Sequence, residues 1–478
     1  MAMTIGWGTL YLASEWVVRI AMLFYVPQRR SPAAARGWLL LIFFLPWPGL
    51  VLYILFGRAY LPRQRLEMQR MVSQLVRELQ PRILGNSLIS SPGLPAFFAP
   101  AVALAHVLAD FGICRGNQIE LLTDYQGGID SLLRDIDKAR HHVHLMYYIF
   151  RNDETGQRVA RALIAAAQRG VNCRVLVDGY GSFFSFRRLA PQLRAHGVEA
   201  MLVMPPRIWG RKAVRLDLRN HRKMAVIDGR IGYVGSQNIV NSDANRGLTN
   251  EELVARILGP VVRQLQGVFL ADRYYESERL PTDDAEQLLP EVAEIGSVLA
   301  QVMPSGPGYH HGNIQQIMIA LIHAAERRVV LTTPYFIPDE SFLLALRMAA
   351  ERGVAVHLVL SRHSNKPIVH LAQQANYEEL LDAGAHIHLY HGKFLHAKHS
   401  TIDDCVAIIG SSNLDIRSFS LNNEVSVLVY DRGVVAQLEA LQARYFADAT
   451  EVDPAIWRKR GLLKRTAQNV ARLADTLL

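Results

Sequence analysis

HRKMAVIDGRIGYVGSQN (His221–Asn238) and HAKHSTIDDCVAIIGSSN (His396–Asn413) are two versions of one pattern. Each opens with a histidine, His221 or His396, and places a lysine two residues on, Lys223 or Lys398. An aspartate follows at the same spacing, Asp228 or Asp403, then a Gly-Ser with Ser236 or Ser411, and finally Asn238 or Asn413. One His-x-Lys is commonplace, but a whole constellation repeated at fixed offsets points to a duplicated half-site.

Outward from these stretches the duplication continues. DSLLRDIDKARHH, VHLMYYIF, ETGQRVARALIAAAQRG and VNCRVLVDG precede the first copy. NIQQIMIALIHAAERR, VVLTTPYFIPD, SFLLALRMAAERG and VAVHLVLS precede the second. Both runs read helix, strand, helix, strand, and each second helix ends at a glycine, Gly170 or Gly353, suited to a left-handed cap. Such alternation predicts an α/β class with two domains of mixed, mostly parallel sheet, packed as a pseudo-twofold pair.

The first sixty residues differ. Thr9–Val26 is apolar but carries Glu15 and Arg19, four apart and able to pair on one helical face. Gly37–Gly57 (GWLLLIFFLPWPGLVLYILFG) has no charge and, as one helix, would span ~30 Å of hydrocarbon. A transmembrane hairpin is expected, and the arginine-rich flank after it places the catalytic part on the cytoplasmic side of a cell membrane. The expected boundaries are a hairpin over 1–60, a stalk over 61–95, a first domain over 96–282, a connection over 283–300, a second domain over 301–456 and a basic helix over 457–478. That last segment, WRKRGLLKRTAQNVARLADTLL, suits either an anionic lipid surface or packing on the second domain.

A net charge of +9 and a mean hydropathy of +0.09 favour polyanionic, membrane-proximal surroundings without choosing a partner. Cys114, Cys173 and Cys405 have no CxxC spacing, so the fold should not depend on disulfides. Histidines cluster at His141, His142 and His144, at His310 and His311, and at His391, His396 and His399. None shows HExxH or a carboxylate-rich setting, so no metal or other cofactor is expected.

The paired residues suit phosphodiester chemistry. Lys223 and Lys398 supply positive charge for non-bridging oxygens, with Ser236, Asn238, Ser411 and Asn413 adding hydrogen bonds. One imidazole attacks phosphorus and the other protonates the leaving oxygen. Glu251 and Glu424, at similar offsets downstream, are the acceptors expected to orient the rings, with Glu252 an alternative to Glu251. Asp228 and Asp403 end strands (VIDG, TIDD) and read as turn and charge-pair residues.

The doubled HxKx4D with its GSxN resembles the phospholipase D superfamily. RLDLRNHRK, PYFIPD, GSSNLDIRSFSLNNE and the apolar N-terminus resemble the bacterial cardiolipin synthases within it. The resemblance implies phospholipase D-like domains in which His221, Lys223, Asp228, His396, Lys398 and Asp403 form the catalytic motifs. It implies phosphatidyl transfer between two phosphatidylglycerol molecules through a phosphohistidine, with His221 the nucleophile and His396 the acid and then the base. Membrane phospholipids, phosphatidylglycerol and cardiolipin, are the implied partners, and nucleic acid is not. Phospholipid hydrolysis and a phosphodiesterase or nuclease activity are the alternatives. The family often has a Trp-Asp-type segment where this chain has SDANRGLTNEELVARILGP, which bears on acceptor identity.

Overall fold

The computed structural model describes residues 6–30, 32–57, 61–206, 215, 217–245, 248–279, 285–309 and 312–473. His310, His311, the first residues of the 283–300 connection and the last five of the chain lie outside them.

The chain divides into two compact units, one of 1–67 with 205–218 and the other of 68–204 with 219–478. Both copies of the repeated motif belong to the second unit. Its first half has seven main strands: β1 (Ile113–Leu122), β2 (His142–Tyr147), β3 (Asn172–Asp178), β4 (Glu199–Val203), β5 (Lys223–Ile227), β6 (Ile231–Gly235) and β7 (Val254–Leu258). The second half has seven more: β8 (Val298–Ser305), β9 (Arg328–Thr333), β10 (Ala355–Ser361), β11 (His386–Tyr390), β12 (His399–Ile402), β13 (Val406–Gly410) and β14 (Asn422–Tyr430).

The first sheet runs β4-β3-β2-β5-β6-β7-β1. The second runs β11-β10-β9-β12-β13-β14-β8, the same order. β1 joins them, pairing with β7 along one stretch and with β8 along another.

The α/β class is as read, but the sheets are not mostly parallel. In each half only the two pairings reached through helical crossovers are parallel, β2–β3–β4 and β9–β10–β11, and the other four are antiparallel. The reason lies in the motif itself. Asp228-Gly229 and the Asp403 turn allow only a tight reversal, so the strands on either side pair as hairpins. Asp228 and Asp403 hold positive φ, 52° and 48°, which an aspartate tolerates better than most residues.

Helices Glu154–Gln168 and Glu340–Glu351 begin at Asp153 and Asp339, whose carboxylates accept from the amides of Gly156 and Phe342. They end before Gly170 and Gly353, both at φ 89°. Their apolar faces close separate cores. Val143, Leu145, Val159, Leu163, Val175 and Val177 meet in the first half, and Leu331, Leu346, Val356 and Leu358 in the second. Helix Ala99–Leu108 stands before the first half in sequence, inside the expected 96–282 domain. It nevertheless buries Ala101, Val102 and Ala105 in the core of the second half with Ile314, Ile317 and Leu321.

The expected transmembrane hairpin is not shown by the N-terminal unit. Helix Trp7–Tyr25 forms, with Arg19 3.3 Å from Glu15. The Gly37–Gly57 run is divided: one helix covers Pro32–Phe44, Leu45 leaves helical space at φ −131°, ψ 77°, and a short helix restarts over Pro46–Leu52. The ring of Pro46 disfavours helical geometry in the residue before it and has no N–H to continue the ladder. Among the described residues no helix is long and apolar enough to cross a membrane.

Candidate active site

Each motif histidine stands at the start of the hairpin β5–β6 or β12–β13, and a short parallel pairing delivers it to the opposite half. Arg219–Asn220 pairs with Asn422–Asn423, and the His221 amide donates to the Asn423 carbonyl at 2.8 Å. Reciprocally, Phe394–Leu395 pairs with Asn250–Glu251, and the His396 amide donates to the Glu251 carbonyl at 2.8 Å.

This crossing exchanges the carboxylates. His221 Nδ1 donates to Glu424 at 2.8 and 3.1 Å, although Glu424 follows the other motif. His396 Nδ1 donates to Glu252 Oε1 at 2.8 Å. Each imidazole therefore turns Nε2 away from its carboxylate.

Two expectations are corrected here. Glu251 orients no histidine; it pairs with Lys393 at 2.9 Å, and Glu252 stands at His396. Successive side chains of a strand point to opposite faces, so only one of two adjacent glutamates faces the ring. Ser236 and Ser411, expected on phosphate oxygens, are fully buried and donate their hydroxyls to Glu252 and Glu424. They brace the carboxylates instead.

Lys223 Nζ donates to the carbonyl of His221 at 2.6 Å and Lys398 Nζ to that of His396 at 2.7 Å, which ties each lysine to the backbone of its own motif histidine. Asn238 Oδ1 accepts from the Ile149 amide at 3.0 Å, and Asn413 Oδ1 is buried with no hydrogen-bond partner. Asp228 accepts from the amides of Arg140, His141 and His142 at 2.8–2.9 Å. Asp403 accepts from Glu326, Arg327 and Arg328 at 2.9–3.1 Å. Both aspartates thus close the start of a neighbouring strand, the structural duty read from their position.

Sequence reasoning missed several participants. Ser418 donates to Glu424 Oε1 at 2.9 Å, and Asn250 donates to Glu252 Oε1 at 3.2 Å. Tyr148 stands edge-on to His221 with ring centroids 4.7 Å apart. Arg222, fully buried next to His221, pairs with Asp272 and donates to the Glu424 carbonyl at 3.0 Å. Only Asn250, adjacent to the glutamates, carried a positional signal.

Burial shapes the electrostatics. It pushes Lys223 down to about 7 and Lys398 down to about 8, with Glu424 and Glu252 opposing the shift. Burial, helped by Lys223 and Lys398, holds His221 well below its ordinary value. It lowers His396 to about 4, against the pull of Glu252. The carboxylates differ. Burial raises Glu424 to about 7, whereas His396 and Lys398 hold Glu252 below the usual range in spite of burial. Two lysines and two glutamates sum to no net charge when ionised, so an entering phosphodiester leaves the centre one proton short of balance. No group of three or more metal-ligating side chains occurs among the described residues.

Residues 132–273 and 318–445 match the family described as cardiolipin synthase, PLD-like domain, and 17–58 match the phospholipase D-nuclease N-terminal family. Cardiolipin synthase A of Yersinia pseudotuberculosis serotype O:3 is 32% identical over 459 residues, covering 94% of each chain. The chain belongs to the cardiolipin synthase family of the phospholipase D superfamily. A second cardiolipin synthase A, from Yersinia pseudotuberculosis serotype IB, is 34% identical over 467 residues, again across 94% of both chains. Among solved structures, phosphatidylserine synthase of Haemophilus influenzae shares the fold, with a TM-score of 0.59 at 16% identity over 79% of this chain and 100% of that one.

Proposed function

We propose that this member of the cardiolipin synthase family transfers a phosphatidyl group from one phosphatidylglycerol to another, giving cardiolipin and glycerol. The observation that carries the reading is the exchanged pair of His–Glu contacts, which brings two imidazoles and two lysines to one charge-balanced centre.

In the first step Nε2 of His221 attacks phosphorus, the bond from phosphorus to the departing glycerol oxygen breaks, and that oxygen takes a proton from Nε2 of His396. In the second, the acceptor hydroxyl returns a proton to His396, its oxygen attacks phosphorus, and the P–N bond breaks. The unequal carboxylates support this division. Glu252, held ionised, opposes the burial that lowers His396, so added negative charge tips that ring toward its cationic, proton-giving form. His221 is held neutral, with the Nε2 lone pair a nucleophile needs. The substrate anion supplies the charge that draws the missing proton onto His396. Lys223, Lys398, Asn238 and Asn413 hold the phosphoryl oxygens, and the stretch from 242 to 260 lines the acceptor side.

Lipid substrates imply work at a membrane. The exposed Leu12, Trp16, Val17, Phe24 and Phe44 of the N-terminal unit suit contact with lipid.

The test is incubation of purified protein in detergent with labelled phosphatidylglycerol, with and without EDTA. Cardiolipin and glycerol in equal amounts, with EDTA present, support the reading. Phosphatidic acid alone would show a hydrolase, and activity restored only by one divalent ion would overturn the metal-independent scheme.

A further inference from the structure

The C-terminal helix Leu462–Arg472 is amphipathic, yet it packs on the second half with its apolar side turned outward. At 3.6 residues per turn, Leu462, Leu463, Val470 and Leu473 share an arc of about 100°. They are 78%, 88%, 60% and 83% exposed. The opposite side lies against helix Pro367–Ala375, which follows β10. There Gln468, fully buried, donates to Gln374 Oε1 at 2.9 Å and accepts from Arg460 Nε at 2.9 Å, and Ala471 fills the remaining space. A helix that served only to cover the second half would bury its leucines. This one holds them in water as a contiguous patch, which marks a surface made for another apolar phase.

Charge states which phase. From Pro454 to Leu473 the segment carries Arg458, Lys459, Arg460, Lys464, Arg465 and Arg472 and no acid. Asp382 pairs with Arg458, and Glu378 pairs with Arg460 at 2.6 Å and lies 3.7 Å from Arg465. Two acids against six cations leave the segment positive with every pair formed. Lys464 and Arg465 stand on either side of the apolar arc, as the cations of helices lying in a lipid interface do. A second copy docked on the same face would set these cations against themselves, whereas anionic headgroups complement them.

The helix is also tied to the catalytic centre. Ala471 shares a buried cluster with Val369, Ala372 and Phe394, and Leu248 packs on that cluster. The Phe394 ring stacks on His396 at 6.0 Å between centroids.

We propose that helix Leu462–Arg472 is an interfacial element that docks the second half on an anionic bilayer through Leu462, Leu463, Val470 and Leu473, holding the catalytic centre at the lipid surface. The proposal deepens the transfer reading above by naming a surface through which the catalytic half meets a membrane of its substrate.

The test uses the full chain reconstituted in vesicles. The native cysteines are buried, so a polarity-sensitive fluorophore can be placed at Leu463→Cys and, as control, at the exposed Leu344→Cys on helix Glu340–Glu351. In vesicles containing phosphatidylglycerol the label at 463 should shift to the blue and be quenched by nitroxide-bearing lipid, and the label at 344 should do neither. A label at 463 that stays in water overturns the proposal. A blue shift without lipid quenching, together with cross-linking between copies through 463, assigns the face to a second copy and also overturns it. Quenching no stronger with phosphatidylglycerol than with phosphatidylcholine alone overturns the anionic preference. The variant Leu462→Ser/Leu463→Ser should form cardiolipin about tenfold more slowly from vesicle phosphatidylglycerol, the factor expected for losing about one buried leucine. It should match the wild type on short-chain phosphatidylglycerol dissolved as monomers. Equal loss on both substrates, or no loss on vesicles, counts against docking. A wild-type protein that forms no cardiolipin from either substrate would overturn the transferase reading, while the label at 463 would still report the docking.

Discussion

Replacing Glu252 by glutamine should damage one chemical step and spare the other. Glu252 is 3% exposed and lies 2.8 Å from Nδ1 of His396, so in the proposed reaction it stabilises the imidazolium that protonates the leaving group. Opposite unit charges about 4 Å apart attract by about 4 kcal/mol at an effective dielectric of ~20. The glutamine oxygen still accepts the Nδ1–H, which recovers about 1 kcal/mol. The remaining ~3 kcal/mol corresponds to about a hundredfold in rate. That loss applies only where the leaving oxygen needs a proton. With phosphatidylglycerol as donor, turnover should fall about a hundredfold, within the range for general acid catalysis. With a phosphatidyl nitrophenol donor, whose nitrophenolate departs without a proton, the burst should slow by no more than about threefold, since P–N bond formation is untouched. Glu424→Gln acts on the attacking ring and should slow both donors alike. Rapid mixing with absorbance detection of nitrophenolate measures the burst, and mass spectrometry of the quenched protein locates the phosphohistidine. Equal losses with both donors in Glu252→Gln, or selective loss in Glu424→Gln, would refute the assignment of nucleophile and acid.

Binding of a soluble phosphodiester should take up protons at pH 8 and fewer at pH 6, measured by calorimetry in buffers of different ionisation enthalpy. Burial holds Lys223 at about 7 and Lys398 at about 8, and a bound anion restores their charged forms. By the same sign the unliganded protein gains stability as pH rises from these values toward the ordinary lysine value, because the unfolded chain binds more protons there. Asp228→Ala, at a left-handed position, orphans three strand-end amides and should cost about 1–3 kcal/mol, read as a lowered thermal midpoint. Arg222→Ala leaves Asp272 charged in the interior and should destabilise by about 3–5 kcal/mol in a denaturant titration.

The sequence by itself determined the duplication, the order of helices and strands, and the cast of residue types at the site. Those are local properties: the apolar periodicity of helices such as 154–168 and 340–351, the caps Asp153 and Asp339, and the motif spacing. It also contained the break at Pro46, since the residue before a proline is steered out of helical space, though the apolar run across it read as one span.

Only the tertiary structure decided which carboxylate serves which histidine. His221 and Glu424, like His396 and Glu252, are brought together by two-residue pairings between segments far apart in the chain. No local preference specifies such pairings, because they form only when two separately cored halves close on each other. A slip of one residue would present Glu251 instead of Glu252, since neighbouring strand residues face opposite ways. Within each half the fold also buries Ser236 against Glu252 and Ser411 against Glu424. Repetition made the two half-sites nearly equal, and packing made them different.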